Sequence, residues 1–160
     1  MIVKATVGVL GAVGALAIGV MGALVQAQGG AKPARVTPAQ IRTAMESYIK
    51  FLNAGDAESI MTLYGDNPSV EDPVGGKPIV GREAVHAFYK AAAPGLKGHV
   101  QLVGRVRVTG GLEGAMPMEA EMTGARPGFI DVIDTMKFDE SGKIIAMRAY
   151  WNPAEVRPTR

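Results

Sequence analysis

Ile130-Asp131-Val132-Ile133-Asp134-Thr135-Met136-Lys137-Phe138 is the stretch whose reading decides the rest of the chain. Apolar side chains recur there at every second position, the period of a β-strand. One face then carries Ile130, Val132, Asp134, Met136 and Phe138. A carboxyl among four apolar side chains is a costly placement, because a buried carboxylate loses its hydration and takes up a proton instead. The neutral acid can donate a hydrogen bond, which the carboxylate cannot. Asp134 therefore has two readings. It is either an acid kept for chemistry, or a structural residue satisfied by a buried Arg or by backbone amides.

Working outward, Glu140-Ser141-Gly142 predicts a hairpin turn, and Lys143 to Trp151 returns with Ile145, Met147, Ala149 and Trp151 on one face. Upstream, Met116, Met118, Ala120 and Met122 alternate with Pro117, Glu119 and Glu121, and His99 to Val108 alternates weakly. The first part of the chain is helical instead. Thr37-Pro38-Ala39-Gln40 predicts a capped helix start, followed by Ile41, Met45, Tyr48, Ile49 and Leu52 at helical spacing. Asn53-Ala54-Gly55 stops that helix, and Asp56 caps a short second one carrying Ile60, Leu63 and Tyr64. Ser69 to Asp72 predicts a short strand, and Arg82 to Ala92 a third helix with Val85, Phe88 and Tyr89 on one side. Helices first and strands after give an α+β domain over residues 37–153, with 154–160 as a tail. The expected form is a cone-like, curved antiparallel sheet packed with three N-terminal helices.

The chain has 160 residues and no cysteine, so disulfides, thiolate metal sites and a cysteine nucleophile are excluded. Neither His86 nor His99 has a ligand-like neighbour at helical or strand spacing, which argues against a metal site. The 17 basic residues are scattered and nearly balanced by 15 acidic ones, so no nucleic-acid footprint is present. From Ala5 to Val25 no residue is charged, and Val25-Gln26-Ala27 has the small residues of a signal-peptidase site. Residues 1–27 read as a cleaved export signal or, alternatively, a retained membrane anchor, with 28–36 as a linker. Either way the domain is expected outside the cytoplasm, and contact with a membrane is expected only if the segment is retained.

Three polar residues stand where apolar or turn residues are ordinary: Tyr48 on the inward stripe of the first helix, Asp72 before a proline turn, and Asp134. Taken singly, each has a structural reading. Together, Tyr48-Ile49-Lys50-Phe51-Leu52-Asn53-Ala54-Gly55-Asp56, Val70-Glu71-Asp72-Pro73-Val74-Gly75, Ile133-Asp134, Gly142-Lys143 and Met147-Arg148-Ala149 resemble the bacterial ketosteroid isomerases (steroid Δ5-isomerases). That family belongs to the nuclear transport factor 2-like, or SnoaL-like, superfamily. The resemblance runs from about Thr37 to Trp151, with Thr109 to Arg126 departing most from it.

The resemblance implies a homodimer, no cofactor and a small apolar, steroid-like substrate. Asp72 would be the general base that moves a proton from C4 to C6 of a 3-oxo-Δ5-steroid. Tyr48 and Asp134 would form the oxyanion hole for the dienolate. Tyr64 and Tyr89 would extend the hydrogen-bond network of Tyr48, and Met147 and Trp151 would line the steroid slot. A protonated aspartic acid acting as donor is a known property of ketosteroid isomerases. The sequence adds the apolar strand face that such a donor requires. Two other readings compete with the isomerase. One is a non-catalytic module of the same fold that binds an apolar ligand. The other is a hydratase, polyketide cyclase or isomerase acting on a non-steroidal ketone. Hydratases and cyclases usually need a different Asp/His/Arg set, which His86 and His99 do not match.

Overall fold

The computed structural model of the chain describes residues 35–123 and 127–158. The expected export signal or anchor at 1–27, and most of the linker after it, lie outside the described residues. Among the described residues no helix is long and apolar enough to cross a membrane.

Helix α1, Pro38–Ala54, starts where the sequence predicts. The Thr37 hydroxyl accepts from the Gln40 amide, the Gln40 side chain accepts from the Thr37 amide, and Gly55 closes the helix at φ 68°. Its buried stripe is Ile41, Met45, Tyr48, Ile49 and Leu52. Asp56 caps α2, Ala57–Thr62, by accepting from the Ser59 amide. The chain continues as β1 (Tyr64–Glu71), β2 (Ile79–Val80), α3 (Arg82–Ala92), β3 (Val100–Leu102), β4 (Arg107–Val108), β5 (Glu113–Met122), β6 (Gly128–Phe138) and β7 (Ile144–Tyr150).

These strands form one curved open sheet in the order β2-β1-β7-β6-β5-β3, with β4 beside β5. The α+β architecture is the expected one, with one correction to the sheet. β1 and β7 are neighbours and run parallel, while the other ladders are antiparallel. A parallel pair cannot be joined by a tight turn, and here everything from β2 to β6 separates the two strands. Tyr64 also belongs to β1, opposite Ile144, rather than to α2.

Asp139 shapes the β6–β7 turn by accepting from the amides of Ser141 and Lys143, with Gly142 at φ 86°. Lys137 pairs with Ala146 but Phe138 with Ile144, so Ile145 is an extra residue at a bulge. The core position expected for Ile145 is therefore filled by Ile144, while Met147 and Ala149 keep the inward face. The core lies between that face and the helices, with Met116, Met136, Phe138 and Met147 against Ile41, Met45, Ile60 and Val85. Each such side chain contributes about 1.5–3 kcal/mol by leaving water.

The sheet's outer face carries exposed apolar residues in adjacent register. Pro117 pairs with Ile133 and Ile133 with Tyr150, and the Val103 amide donates to the Pro117 carbonyl. Beyond β7 the chain makes a 3-10 turn at Pro153–Glu155, and Arg157 then pairs antiparallel with Phe129. Residues 154–157, read from the sequence as part of a tail, thus dock on the sheet.

Candidate active site

Asp134 lies mid-way along β6, opposite Met116 on β5 and Ala149 on β7. It is 1% exposed, and its Oδ1 is buried without a hydrogen-bond partner among the described residues. The structural reading required a buried Arg or backbone amides on this carboxyl, and Oδ1 meets neither. Burial pushes its pKa well above the usual carboxylate range, and the negative charge of Asp72 pushes it further.

Tyr48 comes from the inward stripe of α1. Its hydroxyl lies 3.2 Å from that of Tyr89 on α3, which lies 2.5 Å from that of Tyr64 on β1. All three rings are buried, and Tyr48 meets Tyr89 edge-on with centroids 6.0 Å apart. Burial is the main cause that raises the pKa of each phenol, so each is held protonated as a potential donor.

Asp72 follows β1, before a cis Asp72–Pro73 peptide. The turn behind it is pinned three ways. Glu71 accepts from the Gly75 amide at 2.8 Å and pairs with Arg148 at 2.7 Å, and the Val74 amide donates to the Ala149 carbonyl at 2.8 Å. Trp151 donates its indole N–H to Asp72 Oδ1 at 2.5 Å. Burial raises the Asp72 pKa, and the indole hydrogen bond opposes that rise.

Tyr48, Asp72, Asp134 and Trp151 line one cavity of about 360 Å³, within the range of small-molecule sites. Leu52, Phe88, Val100, Met118 and Val132 supply apolar wall. Three expected site residues lie off its wall. Met147 does not line the cavity, because it packs deeper along β7 between Val70 and Met136; Ala149 lines it instead. Tyr64 and Tyr89 stand behind Tyr48 and do not line it, so they reach a ligand only through the hydroxyl chain. Met118, Ala120 and Met122 bring the divergent 109–126 segment to the wall, and the Met/Glu alternation was the available signal for this. The Trp151–Asp72 hydrogen bond left no signal, since it joins residues 79 apart.

His86 pairs with Glu58 and His99 with Glu121, and among the described residues no group of three or more His, Cys, Asp or Glu could hold a metal ion. The cavity instead brings a carboxyl that can act as a base close to two groups held protonated. Such a set can move a proton and stabilise charge on oxygen in a dry site.

Residues 45–147 match the SnoaL-like domain family. The steroid Δ-isomerase of Nocardioides simplex is 31% identical over 118 residues, covering 74% of this chain and 94% of that enzyme. The epoxide hydrolase LasB of Streptomyces lasalocidi is 30% identical over 118 residues; these cover 65% of this chain but 38% of that enzyme. A solved structure of SalBIII, an epoxide hydrolase/cyclase-like enzyme of pyran ring formation in the polyether salinomycin, superposes with a TM-score of 0.68. Its 23% identity, over 76% of this chain and 97% of that one, speaks for the fold alone. With the sheet order, the matched span and a relative this similar over most of its own length, the chain belongs to the SnoaL-like domain family, within the nuclear transport factor 2-like fold.

Proposed function

We propose that the protein is a cofactor-independent steroid Δ-isomerase, acting on a 3-oxo-Δ5-steroid or a closely similar apolar enone. One observation carries this reading: a buried acid with an unsatisfied oxygen shares an apolar cavity with a buried phenol and a second carboxyl. Asp72, ionised, takes the proton from C4. The C–H electrons form the C3–C4 double bond of a dienolate, and charge gathers on the C3 oxygen. Tyr48 and neutral Asp134 donate to that oxygen. Asp72 then returns the proton to C6, leaving the conjugated Δ4-ketone. The similarity to the Nocardioides simplex enzyme supports the same reading.

The test is ultraviolet absorbance of the purified chain mixed with 5-androstene-3,17-dione, since conjugation makes an absorbing product. No conversion by the intact chain overturns the isomerase. Conversion by Asp72→Asn at the intact rate overturns the base assignment. Loss on the order of 10²–10⁴-fold is expected.

The similarity to LasB, named as an epoxide hydrolase, favours a second reading. Epoxide opening needs an acid at the epoxide oxygen and a base at the nucleophile, and Asp134 and Asp72 are of those types. Turnover of an epoxide but not of the enone would select it.

The apolar row on the outer face supports a homodimer formed through that face. The uncharged stretch before Gln28 supports export or membrane anchoring.

A further inference from the structure

β7 parts from β6 after the Ile133–Tyr150 pair, yet the chain returns to β6 at Phe129, where Arg157 exchanges two backbone hydrogen bonds of 2.8 Å with it. The direction is unchanged. Arg157 therefore continues the line of β7 after a one-turn excursion through Pro153–Glu155. Trp151 opens that excursion and aims its indole N–H at Asp72. Asn152 shapes the turn by accepting from the Ala154 amide at 3.0 Å. Trp151 is thus held on one side by β7 and on the other by whatever holds Arg157.

Two features beyond the backbone bridge hold it. The Arg157 Nη2 reaches Glu119 Oε2 on β5 and Asp131 Oδ1 on β6, each at 2.7 Å. Gly128 lets the segment lie flush, since a Cβ there would strike the Arg157 carbonyl oxygen and Val156 Cγ1. Asp131 is well exposed and the Arg157 side chain is 43% exposed. Ion pairs of this kind add little to global stability, so the clamp serves to place the segment more than to hold the fold.

We propose that Arg157 is a positioning residue. Gripping Glu119 and Asp131, it fixes the C-terminal excursion so that the Trp151 indole orients the Asp72 carboxylate for proton transfer. With Oδ1 engaged by the indole, Oδ2 is presented to the substrate proton. The proposal rests on the reading of Asp72 as the base.

Trp151 is the single tryptophan of the chain, so fluorescence reports its surroundings directly. The test uses the full chain with Arg157→Ala, Arg157→Lys and Gly128→Ala, the last displacing the segment while keeping every charge. Arg157→Ala should redden Trp151 emission, increase its quenching by acrylamide and lower kcat on 5-androstene-3,17-dione on the order of 10–10²-fold, with KM little changed. Gly128→Ala should do the same, and Arg157→Lys should recover part of both signals. Three outcomes overturn the proposal: unchanged emission in both Arg157→Ala and Gly128→Ala, a kcat loss without a change in emission, or loss of the fold in both variants. Asp72→Asn separates the underlying reading. If that variant keeps full activity the base assignment fails, while the emission of Arg157→Ala still decides whether Arg157 holds Trp151.

Discussion

Asp134 and Asp72 are carboxyls raised by the same first cause, burial, but to different degrees. Each has a folded pKa above its unfolded value of about 4. The native state then binds the proton more tightly than the unfolded chain. Each group's contribution to stability is fully present below about pH 4 and is lost as pH rises through the folded pKa. Thermal melts from pH 4 to 8 should therefore show Asp134→Asn, which cannot ionise, losing less Tm with rising pH than the intact protein; parallel curves would contradict the raised pKa. The Asp134 side-chain carboxyl should report a protonated acid by carbon NMR at pH 7. In the enone assay Asp134→Asn keeps a donor and should retain considerable activity, whereas Asp134→Leu should lose on the order of 10²–10³-fold. Because Asp72 must be ionised to act, kcat/KM should fall as pH drops through a value above the ordinary carboxylate range. Asp134 was legible in the sequence because strand alternation is a local rule, and one polar residue on an apolar face breaks it visibly. The Trp151–Asp72 hydrogen bond was not, because it depends on which strands become neighbours.

The same contrast holds for the elements. The α1 boundaries could be read off because capping box and αL glycine act within a few residues. The register of β7 could not, since the bulge at Ile145 arises from pairing with β6 and shifts which isoleucine is buried. Met147 and Ala149 share one face, so alternation alone could not say which lines the cavity and which packs beneath it. Asn53, read only as part of a helix stop, also joins two elements. Its Nδ2 donates to the Val100 carbonyl at 2.6 Å and its Oδ1 accepts from the Val100 amide at 2.9 Å, tying α1 to β3 at a wall residue of the cavity. Asn53→Asp removes the donor and sets a carboxylate against a carbonyl. It should cost about 1–3 kcal/mol in urea unfolding and raise KM more than it lowers kcat. Unaltered stability would show that this tie is dispensable.

For the whole molecule, Pro117, Ile133 and Tyr150 pair side by side on the outer face, with Ile133 49% and Tyr150 42% exposed. Ile133→Asp should turn a dimer into monomers in sedimentation velocity while leaving the helix and sheet content intact; a protein that is monomeric before the change would remove the dimer proposal. N-terminal sequencing of the protein from its own host should begin near Gln28. An intact Met1 on membrane-extracted protein would support the anchor, and an intact Met1 on soluble cytoplasmic protein would contradict both. The α+β class was legible at this scale because helical and strand periods occupy separate parts of the chain. The neighbouring of β1 and β7 was not, because no local pattern encodes a partner about 80 residues away.

The parallel ladder between β1 and β7 also has a consequence in time. A chain emerges from the ribosome with its N-terminus leading, so Asp72 and Tyr48 are made long before the strand that β1 must lie against. Until then β1 has β2 as its one partner in the sheet. Trp151, the donor to Asp72, comes later still, and Arg157 after it. A nascent chain stopped short of β7 would carry the base, the phenol and Asp134, yet enclose no site. Competence should therefore arrive in one step once Arg157 has been made, rather than grow with the length already made.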